Sequence, residues 1–318
     1  MSNEPESTQH KSALQGLKGY LSSQILGQEK LVDRLLIALL ADGHLLVEGA
    51  PGLAKTKAIK DLAEGLEAEF HRIQFTPDLL PADITGTEIY RPETGTFVFQ
   101  QGPIFHHLVL ADEINRATPR TQSSLLECME EGQATIDGDT MKVGEPFFVI
   151  ATQNPVGASG TQLLPDSQLD RFALRLTMGY PAPADELELL QRKLRGDVMD
   201  SVSQAVGREE LAALRSQVDR VFVDDAILDY ILRLVRATRT HPQLAQGASP
   251  RAAISVAGLC RARAFLQGRD YVVPDDVGFI WTDAVSHRLV LAASVGDAQR
   301  ARDIAAEVLG SIRPPRLR

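Results

Sequence analysis

Up to about residue 180, short unbroken apolar runs alternate with stretches whose apolar positions recur every three to four residues. "HLLVE" (44–48), "FHRIQF" (70–75), "HLVLADE" (107–113), "PFFVIATQN" (146–154) and "FALRLTMG" (172–179) have the character of strands. "KTKAIKDLAEGLE" and "TPRTQSSLLECMEEG" have that of helices. Continuous apolar strands separated by helices predict a parallel sheet buried on both faces. After "GYPAPADE" (179–186) the pattern changes to "DELELLQRKLR", "REELAALRSQVDR", "DDAILDYILRLVRATR" and "SPRAAISVAGLCRARAFLQ", all helical. In the third, Ile227, Leu228, Ile231, Leu234 and Val235 fall on one face behind an Asp224/Asp225 cap. The chain therefore divides into an α/β domain over 1–182 and an all-α domain over 183–318, with a loose tail from "IRPPRLR" onward.

Two β-prone interruptions break the first domain. "TEIYRPETGTFVFQ" flanks Pro-Glu-Thr-Gly, and "ATIDGDTMKV" (134–143) flanks Asp137-Gly138, so hairpins are expected near 86–101 and 134–143. They are either exposed decoration or working loops.

A length of 318 residues with 44% apolar content is enough for two domains with a sizeable core. The net charge of −9 argues against non-specific grip on nucleic acid, while leaving room for a local basic pore. Cys128 and Cys260 are far apart, within apparent helices, so a disulfide or thiolate-metal framework is not expected and a reducing cytoplasm is the simplest compartment. No apolar run approaches the roughly 20 residues needed to span a bilayer. The opening "MSNEPESTQHK" contains no apolar signal region. A soluble, cytoplasmic protein without membrane insertion is the expectation. His106-His107 has no companion at zinc spacing, and no G-x-S-x-G turn is present.

The chemistry-bearing residues cluster at the predicted strand ends. "HLLVEGAPGLAKTK" is a strand, a Gly/Pro turn and a helix start, the layout of the phosphate loop G-x-x-x-x-G-K-[ST], with Ala54 where the second glycine is usual. Backbone N–H groups and a helix N-terminus converge on an anion in such a loop, and an alanine entering the helix at negative φ is tolerated. Gly49 and Gly52 supply the turn, Lys55 a point charge near the terminal phosphates, and Thr56 a hydroxyl for Mg²⁺. "LVLADE" ends in adjacent carboxylates, which repel each other unless a metal ion and a reacting water are present. Asp112 suits holding magnesium through one of the ion's waters and Glu113 suits activation of the attacking water. "FFVIATQNP" brings Asn154 to the same edge, where an amide can orient that water. "GASPRAA" starts a helix with Ser249 as cap and Pro250 at its first position. Arg251 then opposes the macrodipole by roughly 0.3–1 kcal/mol, a penalty that a bound phosphate would reverse. Arg171, in "LLPDSQLDRF", could stabilise phosphoryl charge in trans; Arg116, Arg120 and Arg175 compete for that role, and spacing does not choose among them.

"GAPGLAKT", "LVLADEINRA", "ATQNP", "LPDSQLDRF" and "GASPRA" occur in the order and spacing of AAA+ ATPases, and most closely resemble the MoxR family. The resemblance runs from "ILGQE" to "YVVPDDV", and makes Ala54 a family trait. It implies a P-loop NTPase sheet followed by a helical lid. By this likeness Gly49, Ala50, Pro51, Gly52, Leu53, Ala54, Lys55 and Thr56 form the ATP-binding loop, and Asp112 and Glu113 the Walker B pair that acts with Mg²⁺. Asn154 is similar to sensor 1, Arg171 to the finger that reaches a neighbour's ATP, and Arg251 to sensor 2. Gly27 and Gln28, in "LGQ", resemble the segment that touches adenine. The two hairpins are similar to the helix-2 and pre-sensor-1 inserts that face the pore of a ring, usually a hexamer. The resemblance alone supplies the partners: a von Willebrand A-type domain protein and a protein client that is remodelled or matured. A nucleic-acid motor of a related clade and a nucleotide-gated scaffold with little turnover are the alternatives.

Overall fold

The computed structural model describes residues 4–49, 55–136, 138–153, 164–195, 206–292 and 298–316. Two helices, α1 (Glu4–Gln24) and α2 (Glu29–Leu40), precede the first strand, β1 (Leu45–Glu48). The chain continues through α3 (Lys55–Gly65), β2 (Phe70–Gln74) and the short α4 (Pro81–Thr85) into a hairpin of β3 (Gly86–Arg91) and β4 (Thr96–Gln101). Next come β5 (Leu108–Asp112), α5 (Pro119–Glu131) and a second hairpin, β6 (Gln133–Ile136) and β7 (Asp139–Lys142). The sheet region closes with β8 (Phe148–Gln153), the one-turn α6 (Asp166–Leu169) and β9 (Leu174–Thr177). Helices α7 (Pro183–Arg195), α8 (Arg208–Asp219) and α9 (Asp225–Arg239) follow. The chain ends with β10 (Leu244–Gln246), α10 (Pro250–Leu266), α11 (Pro274–Val285), β11 (Val290–Leu291) and α12 (Ala298–Ser311).

All five predicted strands pair in parallel, in the order β2-β5-β8-β1-β9. Both faces are covered, and the strands show the period-2 alternation within their apolar runs. Leu45, Val47, Leu108, Leu110, Phe148, Ile150, Leu174 and Leu176 point into a core shared with α1, α2, α3 and the C-terminal helices. Leu46, Ile73, Val109, Ala111, Val149 and Ala151 point into a second core under α5. Parallel strands leave their carboxyl ends at one rim and their amino ends at the other.

Both hairpins are present, with Ile89 opposite Val98 and Tyr90 opposite Phe97 in the first. The predicted caps close as expected. Asp224 accepts from the Ala226 N–H at 2.8 Å, and Ser249 accepts from the Ala252 N–H at 3.3 Å with Pro250 at the first position. On α9 the buried stripe is Ile227, Tyr230, Ile231, Leu234, Val235 and Thr238; Leu228 falls on the flank and is exposed, a correction to the predicted face. The C-terminal region also holds the antiparallel pair β10–β11, too short to leave an alternation signal. The N-terminal helix is a further addition: the polar opening conceals a stripe of Ala13, Leu14, Leu17 and Leu21, all buried in the main core.

Buried carboxylates lock the helices together. Asp283 on α11 meets Lys30 and Arg34 of α2 and Arg302 of α12, the last at 2.9 Å. Asp276, wholly buried, meets Arg263 at 2.9 Å and Arg269 at 2.6 Å and accepts from the Val273 N–H. Among the described residues, no helix is long and apolar enough to cross a membrane.

Candidate functional site

At the carboxyl rim, β1 ends at Glu48, followed by the buried Gly49, and α3 begins at Lys55. Ala50, Pro51, Gly52, Leu53 and Ala54 lie outside the described residues, as does the Lys55 side chain. Thr56 stands half-buried in the first turn of α3. Two strands away, β5 ends at Asp112 and Glu113 turns into the left-handed region, φ 57° and ψ 46°. A glutamate held there costs about 1–3 kcal/mol, and such residues cluster at functional sites. Thr152 secures the turn: the Glu113 N–H donates to Thr152 Oγ1 at 2.9 Å, and that hydroxyl donates to Asp112 Oδ1 at 2.5 Å.

The two carboxylates are not left to repel each other. In-register pairing of β2 with β5 sets Gln74 opposite Asp112, so Arg72 and Gln74 share one face beside them. Arg72 pairs with Asp112 Oδ2 at 2.5 Å, while Gln74 donates to Glu113 Oε2 at 3.1 Å and Arg116 to the same oxygen at 2.7 Å. The expectation that these carboxylates need a ligand to coexist is therefore corrected: protein cations compensate them. Glu48 is likewise met by Arg175 at 2.7 Å and by Gln153. Asn154 follows Gln153, the last residue of β8, and lies outside the described residues. Gln28 donates to the Gly179 carbonyl at 3.2 Å, and Gly27, at φ 69°, presses on Asp185, whose Oδ2 would stand 2.5 Å from a Cβ there. The Gly27-Gln28 segment thus packs against the β9–α7 connection and the first turn of α7, beyond the carboxyl end of β9.

Arg171 and Arg251 are at the other rim. Arg171 precedes β9, and two residues later the Ala173 N–H donates to the carbonyl of His44, which precedes β1. Helix α5 returns from the carboxyl rim and ends at the same level, because the buried His44 donates from Nε2 to the Met129 carbonyl at 3.1 Å and accepts at Nδ1 from the Val149 N–H. Burial pulls the His44 imidazole down to about 4, so it is neutral at physiological pH. Beside Met129, Glu130 receives Arg251 at 2.6 Å and Arg171 at 3.3 Å. At the start of α10, Arg251 thus has a carboxylate of the chain itself as its partner. The backbone under Arg171 is clamped as well: the Phe172 carbonyl accepts from Arg288 at 3.0 Å and lies 2.9 Å from His287 Nε2. Burial pulls Arg288 down to about 10, which leaves it cationic.

The predicted site residues therefore fall into two groups. Gly27, Gln28, Gly49, Thr56, Asp112 and Glu113 gather at the carboxyl rim, Arg171 and Arg251 at the amino rim. The five residues of β5 separate these rims by about 13 Å at the usual rise per residue. Of the rival arginines, Arg116 is engaged with Glu113, Arg175 with Glu48, and Arg120 is exposed on the first turn of α5. Arg72, Gln74, Thr152 and Glu130 were not foreseen. The alternation in "FHRIQF" carried the signal for the first two.

Thr56, in the first turn of α3, and Asp112, at the end of β5, offer hard oxygen donors at the same rim, a set that suits a triphosphate with Mg²⁺. Among the described residues, no three His, Cys, Asp or Glu side chains are grouped to hold a metal. Both cysteines are free and buried, and burial, the larger cause, pushes the Cys128 thiol up to about 12.

Residues 44–174 match the ATPase family associated with various cellular activities (AAA), and residues 236–308 match the AAA lid domain. The chain is 42% identical to the uncharacterized protein YeaC of Bacillus subtilis, over 93% of either chain. It is 44% identical to the chaperone MoxR1 of Mycobacterium tuberculosis, over 84% of this chain and 73% of that one. A crystal structure of a candidate ATPase from Cytophaga hutchinsonii superposes with a TM-score of 0.89 at 36% identity, covering 99% of this chain and 98% of that chain.

Proposed function

The chain belongs to the MoxR family of AAA+ ATPases, and from that premise we propose that it hydrolyses ATP in a ring, usually a hexamer in such enzymes, to remodel or mature a protein client. Each active site would join the carboxyl rim of one subunit to the amino rim of the next. The observation that carries this reading is the separation of Asp112 and Glu113 from Arg171 and Arg251 by a full strand length. One subunit cannot bring both sets to the same phosphate.

In this reading residues 49–56 bind the triphosphate, with Lys55 at its terminal phosphates, and Gly27-Gln28 contacts the base. Thr56 and Asp112 would hold magnesium, which would neutralise charge at the phosphate oxygens. Glu113 orients and deprotonates the attacking water, which requires it to leave Arg116 and Gln74. Asn154 steadies that water from the end of β8. Arg171 and Arg251, from the neighbour, stabilise charge on the transferred phosphoryl group. The domain boundary is placed near residue 183, in the β9–α7 connection. The two buried free thiols fit the cytoplasmic setting proposed for the chain.

The β3–β4 hairpin is the proposed client contact. Tyr90 and Phe97 stack at 5.2 Å with 51% and 65% of their surfaces exposed, a large outlay of aromatic area for a surface loop. The partner carrying a von Willebrand A-type domain is proposed on the family likeness alone. A nucleotide-gated scaffold is kept as a second reading because Glu113 is engaged by both Arg116 and Gln74.

Replacement of Glu113 by Gln separates the two. A hydrolase should lose about 10²–10⁴-fold in phosphate release while still binding ATP. Unchanged release would remove Glu113 from its role and favour the scaffold.

A further inference from the structure

We propose that Glu130 is a positioning residue for the half-site that one subunit lends to the next: its carboxylate holds Arg171 and Arg251 side by side so that both guanidiniums meet the neighbour's triphosphate together. The inference rests on the proposed function of those two arginines and extends it to a residue with no assigned role.

Three features support it. Glu130 lies 2.6 Å from Arg251 Nη2 and 3.3 Å from Arg171 Nε, bridging side chains that come from α10 and from the turn before β9. Each contact engages one nitrogen of a guanidinium that carries five N–H donors, so both forks can turn to a phosphate without leaving the carboxylate. Without it, the two cations would lose the carboxylate they share.

Second, the charges are costly to the helices that carry them. Glu130 lies in the last turn of α5, where a carboxylate opposes the macrodipole, and Arg251 lies in the first turn of α10, where a cation does. A fold selected for helix stability alone would place the opposite signs there. Third, the backbones around the cluster are fixed from below. His44 holds the Met129 carbonyl, and His287 and Arg288 hold that of Phe172. Glu130 is the group that extends this rigidity to the arginine tips.

The test uses full-length assembled protein carrying Glu130→Gln, Glu130→Asp and Glu130→Ala, with Arg171→Ala and Arg251→Ala alongside. Glu130→Gln should lower kcat about 10²-fold, the scale on which misplacement of a catalytic group acts, with KM for ATP nearly unchanged. Glu130→Asp should recover part of the loss. In the Arg251→Ala background Glu130→Gln should cost much less than alone, because the two act as a unit. The isosteric Gln variant carries the test should Glu130→Ala fail to fold. Wild-type or raised turnover in Glu130→Gln, or a full additive loss on top of Arg251→Ala, overturns the assignment while leaving the shared site standing. Normal turnover in Arg171→Ala instead overturns the shared site itself.

Discussion

The two rims of the sheet carry opposite arrangements. At the carboxyl rim, Asp112 and Glu113 are carboxylates with arginines brought to them from β2 and from the turn after β5; at the amino rim, Arg171 and Arg251 are arginines brought to one carboxylate on α5. Among the described residues, Asp112, Glu113, Arg171 and Arg251 each have a partner of opposite charge. In the proposed site, nucleotide binding is therefore an exchange of partners, and what matters is how cheaply each existing pair is given up. Arg72, Arg116 and Arg251 are all about half exposed, and pairs of that kind contribute about 0–1 kcal/mol. The pairs within the helical layers are of another kind. Asp276 and Asp283 are buried with several cations each, and breaking such a pair costs about 3–5 kcal/mol. Labile pairs sit where phosphate is proposed to bind, and fixed pairs sit where the helices must hold still.

That contrast can be broken at several levels. The largest effect is expected for Arg171→Ala: turnover should fall by about 10³-fold or more, while ATP affinity stays nearly unchanged because the proposed contact is to charge that develops only in the transition state. Steady-state phosphate release and equilibrium binding on one preparation decide it, and a loss of affinity that matches the loss of turnover would make Arg171 a ground-state binding residue instead. Next is Asp276→Ala, which strands Arg263 and Arg269 in a buried site and should cost about 3–5 kcal/mol in urea unfolding. A loss under about 1 kcal/mol would mean that the helical layers are no more fixed than the rims.

A smaller effect concerns pH. His44 joins β1, β8 and α5 at the amino rim, and burial holds its folded pKa near 4 against about 6.5 unfolded. Between these values the unfolded chain binds a proton that the native one refuses, so stability falls as pH drops below about 6.5 and is not lost above it. Lowering the pH from 7.5 to 5 should remove about 2 kcal/mol through this residue, and His44→Gln should flatten the unfolding profile by that amount. An unaltered slope would show that the ring is not neutral in the native state. The smallest effect is Arg116→Ala, which should change stability by under about 1 kcal/mol.

Most of the fold was legible because its signals are local. Runs such as "LVLAD" and "FFVIAT" are apolar at consecutive positions, which only a strand covered on both faces explains, and Ser249-Pro250 and Asp224 announce their helix starts without help from the rest of the chain. Helix α1 was hidden because its stripe begins only at Ala13, behind a polar opening. At the site, chain order placed Asp112 and Glu113 at a rim, but their partners depend on strand order: Arg72 reaches Asp112 across 40 positions because β2 lies beside β5. Glu130 was illegible for the same reason, being 121 positions from Arg251, with nothing local to mark it. Arg251 was legible as a cation opposing its own helix dipole; its partner in the folded chain, Glu130, was not.

The central claim, a site completed between subunits, is tested most directly by mixing two inactive proteins. Lys55→Ala subunits keep the amino rim and lose the phosphate loop, whereas Arg171→Ala subunits keep the loop and lose the rim. Combined and allowed to reassemble, they should recover ATP turnover that neither shows alone, with a maximum at intermediate ratios. No recovery at any ratio, with mixed assembly demonstrated in the same samples, would contradict the account.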